Sequence, residues 1–195
     1  AAAFASDAST DGDHVADTAF RTMSGAGNQH FLKSMRDLVA STTEEHIRSA
    51  LFDTWRYDDD RPSMRWDPED DRRYALRWRE PSSDPIKTVR GANRLAIEGL
   101  RFFPSVPSGA RLRTIGFTGA RASDTFFSWP MWRVPLSVPV IRSTVALASI
   151  QPSKLHKRIR NEDLRGLRAM GIEEVFSSRR ITVGKFRNFV PAQPV

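Results

Sequence analysis

Apolar residues recur at helical spacing between residues 28 and 52. Phe31, Met35, Leu38 and Val39 fall on one face, and Ile47, Ala50 and Leu51 on another. Between them, Ser41-Thr42-Thr43-Glu44 reads as a capping box, with Ser41 accepting from the Glu44 amide while Glu44 reaches back. The pattern predicts two helices, about 28–40 and 42–53, joined by a bend. Periodicity then stops. Residues 57–71 hold Pro62, Pro68 and clustered aspartates, which leaves a loop. Residues 73–79 alternate instead, with Tyr74, Leu76 and Trp78 on one side and Arg73, Arg77 and Arg79 on the other. That spacing predicts a half-buried strand presenting arginines outward.

Further along, a helix is expected from Ala92 to Phe103, stopped by Pro104. Short strands are expected near 111–117 and 125–132. The apolar stretch 136–150, just after Pro135, has the length of a buried helix, while its β-branched residues leave a strand open. Asn161 is a good N-cap, Glu162 and Asp163 sit in the first turn that follows, and Gly171 ends that helix as a left-handed cap. Residues 173–190 read as a β-hairpin around Gly184. The fold class expected is α+β: a helical N-terminal half, short antiparallel strands and a C-terminal hairpin. Residues 1–19, mostly Ala, Ser, Thr, Gly and Asp behind a non-Met start, read as a flexible acidic leader or linker ahead of a single domain over 20–195.

Charge changes this picture. Residues 1–84 carry 11 Lys/Arg against 17 Asp/Glu, whereas residues 85–195 carry 19 against 6, which gives the chain its net +7. A basic body behind an acidic leader favours a polyanionic partner. Of the 30 basic residues 25 are Arg, which fits a planar fork that grips phosphate and stacks on bases; it equally fits a GC-rich genome. The absence of cysteine excludes disulfides, thiolate metal sites and thiol catalysis. No apolar run approaches the ~20 residues that span a bilayer, and no signal peptide is recognisable, so a cytoplasmic, membrane-free protein is expected.

Catalytic constellations are scarce. Asp58, Asp59, Asp60, Asp67, Glu69, Asp70 and Asp71 have the chemistry to bind Mg²⁺, but they sit in a proline-broken loop without a strand-borne Glu-x-Lys pair. A solvated acidic loop is the plainer reading. His14, His30, His46 and His156 match no metal-ligand spacing. There is no Gly-x-Ser-x-Gly elbow, and Ser24-Gly25-Ala26-Gly27 lacks the lysine of a phosphate loop. A non-enzyme without cofactor or metal is expected.

The basic segments are richer. Lys154, His156, Lys157, Arg158 and Arg160 lead into the 162–170 helix, which adds Arg165 and Arg168. The hairpin carries Arg179, Arg180, Lys185 and Arg187 with Phe186 and Phe189 interleaved, either stacking on bases or packing into the core. Expected phosphate contacts are Arg77, Arg79, Arg90, Arg94, Lys154, Lys157, Arg158, Arg160, Arg179, Arg180 and Lys185. Asn93 is placed to read a base edge or a 2′-hydroxyl, or equally to cap a helix. Trp66, Trp78, Trp129 and Trp132 read as core or subunit interface, and Phe127-Ser128-Trp129-Pro130-Met131-Trp132 as an interface knob or wedge.

Several phrases also carry a family likeness. Arg73-Tyr74-Ala75-Leu76-Arg77-Trp78, Val89-Arg90-Gly91-Ala92-Asn93-Arg94-Leu95-Ala96, Leu100-Arg101-Phe102-Phe103-Pro104, Leu112-Arg113-Thr114-Ile115-Gly116-Phe117 and Trp129-Pro130-Met131-Trp132 together resemble the large effector-complex subunit of type I-U (I-G) CRISPR systems, over about residues 24–190. The resemblance implies a part of a Cascade-type, RNA-guided surveillance complex, with guide RNA, target or displaced DNA and the other effector subunits as partners. DNA cutting would belong to a separately recruited helicase-nuclease. At 195 residues the chain is short for such a subunit, which implies a carboxy-terminal portion or a separately produced small subunit. Small subunits are typically all-helical, and the strands read above depart from that. Two rival functions remain: a metal-dependent nuclease using the 58–71 carboxylates, and a structural scaffold whose arginines face acidic protein partners.

Overall fold

A computed structural model describes residues 3–4, 6, 10–11, 14–15, 18–23, 30–68, 87–108, 111–119, 125–151, 161–183 and 186–195. The chain is α+β and divides into two compact units: Ala1–Phe20, Leu100–Arg180 and Pro191–Val195 form one, Arg21–Gly99 and Ile181–Val190 the other. The expected strand at 73–79 lies outside the described residues.

The second unit is mainly helical. Helices α1 (Phe31–Ser41) and α2 (Glu44–Phe52) match the two predicted periodic stretches. The cap between them is displaced by two residues from the expected one. Thr43, not Ser41, is the N-cap: its Oγ1 accepts from the His46 amide, and His46 Nδ1 accepts from the Thr43 amide at 3.1 Å. Ser41 instead closes α1. The imidazole fills the place a Glu takes in the usual box, which is why the Ser41–Glu44 spacing misled. Leu38 of α1 and Ala50 of α2 are buried, whereas Val39 and Leu51, expected on the same faces, are exposed.

Helix α3 (Arg90–Gly99) starts two residues before its predicted beginning and tightens into a 3₁₀ turn over Leu100–Phe102. Its first amide, Arg90 N–H, donates to Asp59 Oδ2 at 2.8 Å, so the cap comes from a residue 31 positions away and left no local signal. An antiparallel bridge between Asp59 and Thr88 holds the two segments in register. The unit is completed by the hairpin formed by the last residues of β7 (Ile172–Val183) and β8 (Phe186–Phe189), in which Phe189 is buried.

In the first unit, short antiparallel ladders join β1 (Thr10–Asp11) to β2 (His14–Val15) and β3 (Ser105–Ser108) to β4 (Arg111–Thr114). Ala3 is buried, and its carbonyl accepts from Ser105 Oγ at 3.0 Å. A third, five-stranded sheet runs β5 (Phe117–Thr118), β6 (Thr125–Trp132), β7 and β8, with β9 (Gln193–Pro194) adding to β7. The 127–132 phrase is therefore a paired strand. Trp129 lies opposite Phe176, ring centroids 6.3 Å apart, and only Met131 of the expected knob is exposed. Phe20, Phe103, Phe117 and Phe127 meet edge to face or tilted at 4.8–6.0 Å between centroids.

The 136–150 stretch resolves as helix, but as a short one. Helix α4 (Val138–Val145) has Pro139 in its first turn and leaves Val138 and Val140 exposed; Thr144, Val145 and then Ile150 of the following 3₁₀ turn are buried. Helix α5 (Asn161–Ala169) ends as predicted, with Gly171 at φ 82°. Leu167 of α5 packs with Ile150, Ile172 and Val175 into the core, flanked by Leu147, Leu164 and Val195.

Candidate nucleic-acid interface

The structure sorts the twelve expected contact residues by what each side chain already does. Arg77, Arg79, Lys154, Lys157, Arg158, Arg160 and Lys185 lie outside the described residues. The remaining five are spread over two elements, α3 and β7.

On α3, Arg90 turns its guanidinium back onto its own loop, donating from Nη2 to the carbonyls of Asp60 and Arg61 at 3.3 and 3.4 Å. Arg94 forms an i,i+4 ion pair with Glu98. Both arginines are therefore engaged within the unit, and binding a phosphate would require breaking these contacts.

Asn93 has an interior role. It is 3% exposed, and all of its hydrogen-bonding capacity faces inward. Nδ2 donates to Asp67 Oδ2 at 2.9 Å, to Thr88 Oγ1 at 3.0 Å and to the Val89 carbonyl at 3.1 Å; Oδ1 accepts from the Met64 amide at 3.0 Å. Thr88 Oγ1 donates to the same Asp67 oxygen at 2.8 Å. Of the two readings of Asn93, base contact and capping, neither describes this; it is the node that ties the 63–67 loop to α3. Replacing it by Ala leaves the Met64 amide and the buried Asp67 carboxylate short of partners. The Asn93→Ala chain is expected to lose about 3 kcal/mol of stability, read by urea unfolding.

On β7, successive side chains point to opposite faces. Arg179 is exposed, whereas Arg180 is 7% exposed and faces inward. Only one of the pair can meet a phosphate, a consequence already implicit in the strand assignment.

Other cations do face solvent. Arg165 and Arg168 lie one turn apart on α5, and both are exposed. Arg113 on β4 and Arg142 on α4 are exposed as well, and none of these four has a carboxylate partner among the described residues. Arg113 and Arg142 were missed because isolated arginines give no cluster signal; the alternation in Arg111-Leu112-Arg113 was the cue available for the first. Arg133 is exposed too but is held by Glu173 at 2.6 Å, and the guanidinium N–H keeps that carboxyl below its ordinary range.

The acidic loop is committed in part to structure. Asp59 caps α3 and Asp67 accepts from Thr88 and Asn93, while Glu69, Asp70 and Asp71 lie outside the described residues. Among the described residues, no group of three His, Asp or Glu is arranged to hold a metal, and no helix is long and apolar enough to cross a membrane. No protein-family model, no curated protein and no solved structure matches the chain.

Proposed function

We propose that the chain is a non-catalytic nucleic-acid-binding subunit of an RNA-guided, Cascade-type CRISPR surveillance complex, working in the cytoplasm beside other effector subunits. It contacts guide RNA, or target or displaced DNA, through arginine-rich surfaces. The observation that carries this reading is the set of solvent-facing arginines without carboxylate partners among the described residues, Arg113, Arg142, Arg165, Arg168 and Arg179, on a half-chain with 19 basic and 6 acidic residues. Such charges release counterions when set against phosphates, and the affinity they give is strongly salt-dependent. The family likeness of the 73–132 phrases supports the specific complex. The use of Asp59 and Asp67 as structural acceptors weighs against a nuclease centred on the 58–71 loop.

The test is to purify the tagged chain from its native host at moderate salt, sequence the co-eluting RNA and identify the co-eluting proteins. Repeat-derived guide RNA together with CRISPR backbone subunits is the expected result. Protein partners without nucleic acid would replace this reading with the scaffold.

A further inference from the structure

A cleft of about 820 Å³ opens in the second unit between α2, the 53–59 loop and Val89. Its chemistry is opposite to that of the arginine surfaces. Glu45, Asp53, Asp58 and Asp59 line it against a single cation, Arg56. In a chain of net charge +7 this is a concentrated negative site.

Three features make it more than an acidic patch. First, the C-terminus of α2 opens onto it, with Asp53 as the C-cap and no basic residue in the last turn. A helix C-terminus carries partial negative charge that normally attracts Lys or Arg, so an acidic cap there breaks the usual rule. Arg48, the nearest cation on α2, is turned to Glu45 at 3.2 Å. Second, the indole of Trp55 is fixed in place: Nε1 donates to the Ala50 carbonyl at 2.9 Å, and the ring meets Tyr57 edge-on. So anchored, Trp55 remains 47% exposed, and Phe52 beside it is 76% exposed. Third, Asp58 has no partner among the described residues, and Asp53 accepts the Ser49 hydroxyl at 2.7 Å and feels the Arg48 charge without a hydrogen bond to it. The cleft thus offers an immobilised aromatic face, the unpaired Asp58 carboxylate beside Asp53 and the negative end of a helix.

From this we infer that the α2–Trp55 cleft docks an arginine-bearing segment of a protein partner. A guanidinium stacks on an indole and bonds carboxylates in its own plane, which a phosphate, repelled by Asp53 and Asp58, cannot do. Arginine fits better than lysine because its planar head matches the ring, and charge complementarity excludes an acidic partner. The cleft is then a protein-binding site separate from the surfaces that meet nucleic acid.

The full chain is titrated into a fluorescein-labelled Gly-Ser-Arg-Gly-Arg-Ser-Gly peptide, followed by anisotropy at moderate salt. Matched peptides carry lysine or the uncharged citrulline in place of arginine. The arginine peptide is expected to bind, the lysine peptide several-fold more weakly, and the citrulline peptide not at all. Trp55→Ala is expected to weaken binding about tenfold, and so is the Asp53→Asn/Asp58→Asn pair, whose exposed positions keep the fold. RNA affinity, measured on the same variants, is expected to persist, so the cleft and the nucleic-acid reading fail separately. The proposal is overturned if the arginine peptide does not bind, or binds the carboxamide pair as tightly as the unaltered chain. Loss of RNA binding in that pair would also overturn it.

Discussion

Reversing Lys157, Arg158 and Arg160 to Glu is expected to weaken RNA and DNA binding steeply. It should also flatten the dependence of log affinity on log salt by about two units on single strands and just under three on duplex. Each phosphate contact releases condensed counterions, so the slope counts contacts directly, whatever the sequence bound. The Arg165→Glu/Arg168→Glu pair, exposed on α5 immediately after that segment, should remove about two contacts by the same reckoning. Arg94→Gln supplies the contrast. Its guanidinium is already held by Glu98, so its loss should leave the slope where it was. A slope unmoved by all three reversals at 157, 158 and 160 would reject that segment as the site.

Gly91→Ala is expected to be strongly destabilising, the more so of the two glycine-to-alanine changes in α3. A Cβ at Gly91 would fall on the His46 carbonyl of α2 and within 2.8 Å of Ala50 Cβ. The obstruction is backbone, so no rotamer change relieves it and α2 must move off α3. A loss of about 3 kcal/mol is expected, which lowers the melting temperature by roughly 10 °C in a chain of this size. Gly99, at the other end of the same helix, is the matched control, because a Cβ there meets nothing within 4 Å. Gly99→Ala should be neutral or stabilising by up to about 1 kcal/mol. Parallel thermal melts of the two variants decide it; equal melting temperatures would mean that α2 and α3 do not touch at Gly91.

What could be read in the sequence was local, and what escaped was supplied from a distance. Helices α1 and α2 follow from the spacing of Leu38 and Ala50 with their neighbours, α5 from its acidic first turn at Glu162 and Asp163, and Gly171 ends α5 where a residue free to adopt positive φ must. The hairpin at the C-terminal end was read around Gly184. The cap at Thr43 was misplaced because a histidine did the work expected of Glu44. Helix α3 was started late because Asp59 caps it from another segment. The same holds for the candidate interface. Exposed Arg179 was legible, but Arg180 was grouped with it although strand geometry puts neighbours on opposite faces. Asn93 looked available because polar residues usually face water; its partners at Met64, Asp67 and Thr88 come together only in the folded chain. The cleft beside Trp55 gave no motif at all, since it is assembled from a helix end, an anchored indole and a loop.

The bond from Arg90 to Asp59 has a kinetic meaning as well. The first amide of α3 is satisfied only once the loop carrying Asp59 has closed against Thr88, and the Asp59 amide in turn donates to the Thr88 carbonyl at 3.2 Å. The first turn of α3 and the 59–88 bridge therefore stabilise each other. Fraying at the front end of the helix then costs the loop its hold as well, so opening of the first turn and of the loop is coupled.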